Sequence, residues 1–276
     1  MTRIAHITDV HFGAEDPAVV EALIVDLNRG ANDLVALSGD LTMGARTSEF
    51  RAAREFIDRL YTPVLAVPGN HDITPYKLWE RFTDPYGRWR AAISPQIEPV
   101  WHDGLVAVVG LNTARRMGLH RDWSRGRVTG LRLRRLLRRF AAIDPKLVRV
   151  VVAHHPLMPP EEAPATTVVG GARRALEAFE RADVRLVLAG HLHRGYARLA
   201  SPTPGAPLIL QGSTATSVRL RGEPNAYHRI DIGADGRMTV EVRVWQDGRW
   251  VTRAATRTEV DAIPVFATAL KEGSHP

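Results

Sequence analysis

The 276-residue sequence contains no cysteine. That absence rules out disulfides, thiolate metal sites and a cysteine nucleophile, so any metal must be held by histidine, carboxylate, amide or water. Lysine is nearly missing as well: it occurs only at positions 77, 146 and 271, and the other 34 of the 37 basic residues are arginine. No apolar run approaches the ~18 residues of a membrane span. The opening residues, Met1 to Ile7, lack the basic, apolar and small-residue zones of a secretory leader, and a soluble, cytoplasmic protein is expected. What is present is ordinary for a globular chain, with 45% hydrophobic and 24% charged residues, enough apolar side chains for a sizeable core.

The formal net charge is +7, so the surface should attract anions: nucleic acid, phosphorylated metabolites or acidic membrane. A coding preference for arginine accounts for the excess at least as well. Short apolar runs at 3–8, 33–38, 63–67, 105–111, 147–153, 185–189 and 207–211 end in polar or glycine-rich turns and read as buried strands. Helical spacing lies between several of them, as in Val20, Leu23, Ile24 and Leu27, or Phe50, Ala53, Ile57 and Leu60. Strand–helix alternation implies an α/β protein.

Over 129–142, Leu133, Leu136, Leu137 and Phe140 recur at helical spacing among Arg132, Arg134, Arg135, Arg138 and Arg139, with Thr129 as N-cap. Such a helix could meet a membrane or nucleic acid; the solvated outer face of a packed helix is the commoner case. Beyond residue 200 the pattern shifts to alternating strands at 227–232 and 239–245 around an Asp235-Gly236 turn. The stretch 201–207 reads as a loop. No linker separates domains, so one domain is expected over 1–265, followed by a tail at 266–276.

The chemistry sits at the strand ends. The first strand ends in Asp9-Val10-His11, the second in Gly39-Asp40, the third in Gly69-Asn70-His71-Asp72, and two later ones in His154-His155 and Gly190-His191-Leu192-His193. In an open α/β sheet, ligands bind beyond the carboxyl ends of the strands, where loops converge over a rigid base. The glycines before Asp40, Asn70 and His191 suggest tight, positive-φ turns that aim side chains inward. Asp9, His11, Asp40, Asn70, His154, His191 and His193 make seven nitrogen or oxygen donors. Seven is too many for one tetrahedral zinc, whereas two metals sharing a carboxylate would use them all and form the clamp suited to phosphoryl chemistry.

The segments HITDVHFG from His6, SGDLT from Ser38, VPGNHD from Val67, AHHP from Ala153 and GHLH from Gly190 resemble the calcineurin-like metallophosphoesterase superfamily, in the family's block order and with every ligand position filled. The resemblance spans residues 4 to about 232. It implies a four-layer αββα sandwich of two mixed β-sheets flanked by helices. It also implies that Asp9, His11, Asp40 and His193 hold one metal and Asp40, Asn70, His154 and His191 the other, with Asp40 as the bridge and a metal-bridging hydroxide as nucleophile. The ions implied are manganese or iron first, then zinc. His71 is implied to face the substrate phosphate, stabilising the transition state or protonating the leaving oxygen. Asp72 is expected to orient His71 or a metal ligand. The family places the ligand at the first histidine of His-x-Pro, which favours His154 and leaves His155 as a substrate or supporting residue, with the reverse assignment open.

His-His-Pro and Asn112-Thr113 resemble the cyclic-nucleotide phosphodiesterase-like branch, which implies hydrolysis of a phosphodiester, cyclic-nucleotide or glycerophosphodiester in type. A second reading is a pyrophosphatase acting on a nucleotide-linked lipid A precursor at the membrane surface, because Trp79, Phe82, Tyr86 and Trp89 with Arg81, Arg88 and Arg90 form an aromatic–basic segment after the third block. Those aromatics could equally pack a cap over the core. A third reading, a binding module that has lost catalysis, would be marked by a missing ligand. A small phosphate ester is the expected partner. No nucleic-acid partner is expected, since no further nucleic-acid-binding domain is legible.

Overall fold

The computed structural model describes residues 1–117 and 124–258. The elements run β1 (Thr2–Ile7), α1 (Pro17–Arg29), β2 (Leu34–Leu37), α2 (Thr47–Asp58), β3 (Val64–Ala66), α3 (Leu78–Thr83), α4 (Gly87–Ala92), β4 (Val100–His102), β5 (Val106–Leu111), α5 (Gly130–Ala141), β6 (Val148–Ala153), α6 (Ala172–Arg181), β7 (Val184–Ala189), β8 (Tyr196–Leu199), β9 (Leu208–Gln211), β10 (Ala226–Ile232), β11 (Met238–Gln246) and β12 (Arg249–Thr258). They form two six-stranded sheets, ordered β12-β11-β10-β1-β2-β3 and β4-β5-β6-β7-β9-β8. Both are mixed: β1, β2 and β3 pair in parallel, as do β5, β6, β7 and β9, while the outer strands are antiparallel.

Alternation along the strands explains the layering, because successive side chains leave opposite faces of a sheet. In β2, Leu34 and Ala36 join one apolar cluster while Val35 and Leu37 join another. In β6, Val150 and Val152 face the first of these clusters, and Val151 and Ala153 face a third. The shared cluster draws on both sheets and fills the space between them. The other two seat α1 and α2 on one sheet and α5 and α6 on its partner. Four layers follow, αββα, with each β-strand of the centre buried on both faces.

Local chemistry starts the helices where they are needed. Asp16 accepts from the backbone N–H of Ala18 and Val19 ahead of Pro17, and Val19, Val20, Leu23, Ile24 and Leu27 form the buried stripe of α1. Thr129 caps α5, whose Leu133, Leu136 and Phe140 are buried. Each such side chain contributes roughly 1.5–3 kcal/mol on burial. The intervening Arg134, Arg135 and Arg138 are exposed, as expected for a packed outer helix.

Three strands were not legible. Val100 and His102 of β4 are exposed, so no buried pattern marks it, and all four residues of β8 are half-buried. Strand β12 returns along β11 from a tight turn at Asp247 and Gly248, both with positive φ. The boundary at 265 and the tail 266–276 lie outside the described residues.

Segment 76–90 divides in two. Trp89 and Tyr86 are buried, and the Tyr86 hydroxyl donates to the Ala114 carbonyl at 2.9 Å. The Arg81 guanidinium is buried and donates to the carbonyls of Arg116, Ile73 and Thr74, while Arg88 pairs with Glu80 and Arg90 with Asp84. Trp79 (81% exposed), Tyr76 and Leu78 stay outside. Arg81 and Arg88 therefore serve the cap itself, and the outward face keeps the aromatic rings of Tyr76 and Trp79 with the exposed Lys77 and Arg90.

Candidate metal centre

The carboxyl ends of β1, β2, β6 and β7 and the loop after β3 open onto one polar region. Asp9, His11, Asp40, His191 and His193 all have positive φ, between 49° and 79°. That region costs a non-glycine residue of order 1–3 kcal/mol, and here the donors themselves occupy it. Among the three glycines expected to make positive-φ turns, only Gly39 does so, at 97°. Gly69 and Gly190 serve close approach instead: a Cβ at Gly69 would strike Asp40 Oδ1, and one at Gly190 would strike Thr8 Oγ1 and Asp9 Oδ2.

Asp9 is fully buried. Its Oδ2 accepts from Thr8 Oγ1 at 2.7 Å and from the His191 N–H at 2.9 Å. Its Oδ1 has no hydrogen-bond partner and lies 3.3 Å from His193 Nε2 and 3.6 Å from His11 Nε2. The two Nε2 atoms are 3.1 Å apart. Each ring turns its Nδ1 to a backbone carbonyl, Thr42 for His11 and Arg219 for His193. A carbonyl can only accept, so Nδ1 carries the proton and Nε2 of the neutral ring presents a lone pair. A bare carboxylate oxygen and two lone pairs thus face one another, an arrangement that a cation satisfies.

The second group repeats the pattern. His154 Nδ1 donates to the Ser38 carbonyl at 2.8 Å, and its Nε2 lies 3.2 Å from both Asn70 Oδ1 and Asp40 Oδ2. Asp40 Oδ2 is also 3.8 Å from His11 Nε2, so this oxygen stands between the two groups. Asp40 Oδ1 accepts the His71 N–H. Ligand atoms of Asp9, His11 and His193 lie within 4.8 Å of one another, as do those of Asp9, Asp40 and His154, and of His154, His155 and His191.

Titration reflects the same demand for positive charge. Burial penalises ionised Asp9, yet the imidazoles of His11 and His193 beside it outweigh that penalty and hold the carboxyl well below its usual range. Burial likewise opposes a charged His154, but the neighbouring Asp40 carboxylate pushes its pKa up to about 9. Burial and the nearby His154 bring His191 down to about 4.

The flanking residues divide their tasks. His71 Nδ1 donates to the Met43 carbonyl at 2.7 Å, and its ring meets His11 edge-on at 5.0 Å. Asp72 accepts from the backbone N–H of Leu41, Thr42 and Gly69 and from Thr42 Oγ1. It therefore ties together the backbone beside Asp40 and Asn70, and the orientation of His71 comes from Met43. His155 has both nitrogens engaged, Nδ1 with Thr113 Oγ1 and Nε2 with the Ser124 carbonyl, each at 2.7 Å. Burial lowers its pKa far below the ordinary value, so the ring is neutral. Met43 and Ser124 carried no motif, and Ser38 and Thr113, though they stand in the SGDLT and Asn112-Thr113 segments, were not expected to hold His154 and His155.

The fold and this set of donors define a metal-dependent phosphoesterase. The calcineurin-like phosphoesterase profile matches residues 2–195, and the chain belongs to that family. It is 25% identical over 258 residues to a probable cyclic nucleotide phosphodiesterase from Synechococcus sp., covering 88% of this chain and 92% of that one. It is 32% identical over 82 residues to a glycerophosphodiester phosphodiesterase from Enterobacter lignolyticus, covering 25% of this chain and 29% of the relative. Among solved structures, a purple acid phosphatase from yellow lupin seeds superposes with a TM-score of 0.69 at 13% identity, over 96% of this chain and 56% of the phosphatase. The chain thus spans little more than half of that protein, and the likeness is one of fold.

Proposed function

We propose that the protein is a binuclear phosphodiesterase acting on a small phosphodiester of the cyclic-nucleotide or glycerophosphodiester type. The observation that carries the reading is Asp40 Oδ2, placed between His154 Nε2 at 3.2 Å and His11 Nε2 at 3.8 Å beside the partnerless Asp9 Oδ1. Asp9, His11, Asp40 and His193 would hold one ion and Asp40, Asn70, His154 and His191 the other. The all-nitrogen-and-oxygen donor set suits manganese or iron, with zinc as a further possibility. Cations held there supply Lewis-acid polarisation of the phosphoryl oxygens and lower the pKa of water at the site.

The chain's own residues supply position and protons. The Met43 carbonyl keeps the proton on His71 Nδ1 and frees Nε2 toward the site. When the ring is protonated, Nε2–H donates to a phosphoryl oxygen and passes its proton to the departing alkoxide. Asp72 is a positioning residue, holding the loops that carry Asp40 and Asn70. His155, fixed by Thr113 and Ser124, forms a neutral wall beside His154 and His191.

The test is metal analysis of purified protein together with paired assays on bis- and mono-(4-nitrophenyl) phosphate. Two ions per active chain and preference for the diester are expected; full activity in metal-free protein, or strong preference for the monoester, refutes the reading.

A second reading has its own observation. Trp79, Tyr76 and Leu78 are exposed on and beside α3, which begins shortly after Asp72. They suit an apolar contact at a lipid surface, and with it pyrophosphate cleavage in a nucleotide-linked lipid precursor by a cytoplasmic enzyme peripheral to the membrane. Among the described residues, no helix is long and apolar enough to cross one. Cosedimentation with anionic vesicles at low salt, lost in Trp79→Ser, is expected on this reading; failure to bind removes it.

A further inference from the structure

We propose that Arg219 is a substrate-binding residue of this centre, whose guanidinium donates to the free oxygens of the scissile phosphodiester. The proposal rests on the diesterase reading and adds to it a residue that no motif marks.

The backbone around Arg219 belongs to the site. After β9, segment 214–219 is laced to the loop that carries Asp9 and His11. The Thr214 and Thr216 hydroxyls donate to the carbonyls of Asp9 and Val10, the Ala215 N–H to the Thr8 carbonyl and the Val218 N–H to the Ala14 carbonyl. Ser217 Oγ accepts the Arg219 N–H at 3.1 Å. The Arg219 carbonyl in turn accepts from His193 Nδ1 at 2.9 Å.

The side chain crosses to the other flank. Arg219 Nη1 lies 3.3 Å from Met43 Sδ. The Met43 carbonyl orients His71, and the Thr42 carbonyl beside it faces His11 Nδ1. The guanidinium therefore sits against the segment that fixes two imidazoles of the site, while its own backbone fixes a third. A thioether is a weak acceptor, so this contact places the arginine without neutralising it. Among the described residues Arg219 has no acidic partner. Acids of the flanking loops are committed elsewhere: Glu15 accepts the Gly13 N–H, and Glu49 those of Gly44 and Arg46. Arg194, which follows His193 in the chain, shows the alternative and pairs with Glu162 at 3.5 Å. Arg219 is also exposed, so its fork is open to an anion arriving from solvent.

A phosphodiester presents one negative charge over two free oxygens, which a planar guanidinium matches as a pair. Charge developing on those oxygens during transfer is what such a cation stabilises. No bond to Arg219 forms or breaks, and it keeps its protons. The bond from phosphorus to the departing alcohol breaks, one from a water oxygen forms, and His71 supplies the alcohol's proton.

Arg219→Gln should lower kcat/KM on bis(4-nitrophenyl) phosphate by about 10- to 100-fold and weaken calorimetric binding of inorganic phosphate to the metal-loaded protein by about tenfold. Metal content and Tm should stay as in the wild type. Arg219→Lys should recover part of the loss, and guanidinium chloride at low concentration should raise the turnover of Arg219→Ala, which a merely structural role would not allow. Arg51→Gln, the same charge change on the exposed face of α2, should leave both readouts unchanged. Unchanged kcat/KM and phosphate affinity in Arg219→Gln overturn the proposal, as does loss of metal in step with activity, which would reduce Arg219 to a support for His193. Arg219-dependent phosphate binding in a protein that does not cleave the diester sustains the contact and sinks the diesterase reading. Diester cleavage with phosphate binding indifferent to Arg219 sinks the contact alone.

Discussion

The two sheets bring different chemistry to the same place. The strands β1, β2 and β3 deliver Asp9, Asp40 and Asn70 with His11, whereas β6 and β7 deliver His154, His155, His191 and His193. One sheet end is mostly anionic and amide, the other imidazole. The carboxylates meet their imidazoles across the divide: Asp9 Oδ1 faces His193 at 3.3 Å, and Asp40 Oδ2 faces His154 at 3.2 Å. The two groups that contain Asp9 are thus divided between the sheets, whereas His154, His155 and His191 come from one. The apolar layer of Ile4, Leu34, Val150 and Leu186 that presses them together is as much part of the site's construction as the donors. Like charges gathered on one sheet end would repel; opposed donors across an interface attract a cation instead.

The severest way to break this arrangement is to remove the oxygen that stands between the groups. Asp40→Ala should lose nearly all bound metal and lower turnover by more than about a hundredfold, read by elemental analysis and kinetics on the same preparation. Retained metal with lost turnover would mean that Asp40 serves chemistry rather than binding. His71→Ala comes next, lowering kcat by about 10²–10⁴-fold with the metal content preserved. A parallel loss of metal would place His71 among the ligands.

Steric closeness between the sheets can be tested without touching a donor. Gly190→Ala pushes a methyl group into Thr8 and Asp9, across from β7 to β1. It should cost about 1–3 kcal/mol, a fall of several degrees in Tm, while Gly104→Ala, where a Cβ meets nothing within 4 Å, should leave Tm nearly unchanged.

The smallest effect lies beneath the site, in the anionic sheet. His6 and His228 are buried with their Nδ1 atoms 3.2 Å apart, and burial lowers His228 to about 4. Folded His228 stays neutral where the unfolded chain binds a proton. Its contribution is therefore whole above about pH 6.5 and lost as pH falls toward about 4. The urea midpoint should drop on acidification from neutral pH, and less so in His228→Asn; equal slopes would show that the pair does not govern acid sensitivity.

Much of the centre was legible because its donors follow strands whose apolar runs are continuous. Burial on both faces forces such runs, and Asp9, Asp40 and His154 announce where each strand stops. Glycine before a donor was legible too, although the reason differed: Gly69 and Gly190 are small because another side chain passes close, and the strained φ belongs to Asp40 and His191 themselves. Strand β8 and the Ser124 partner of His155 left no trace, since an edge strand need not alternate and a carbonyl acceptor can belong to any residue type. The cap showed the opposite failure. Arg81 and Arg88 read as part of an outward basic face but turn to carbonyls and an acid within the chain, while Arg90 stays outside in a surface pair with Asp84, because arginine type alone does not say which way its long stem runs.

By itself, then, the sequence determined which atoms could serve: nitrogen and oxygen donors without a thiol, placed at the ends of buried strands that continuous apolar runs mark out. Tertiary structure decided how those atoms meet. Donors as far apart in the chain as Asp9 and His193 become neighbours only when two sheets pack face to face. Whether a histidine turns its Nε2 to the acidic groups of the site, as His154 does, or is closed by its partners, as His155 is, depends on which groups that packing brings to the ring.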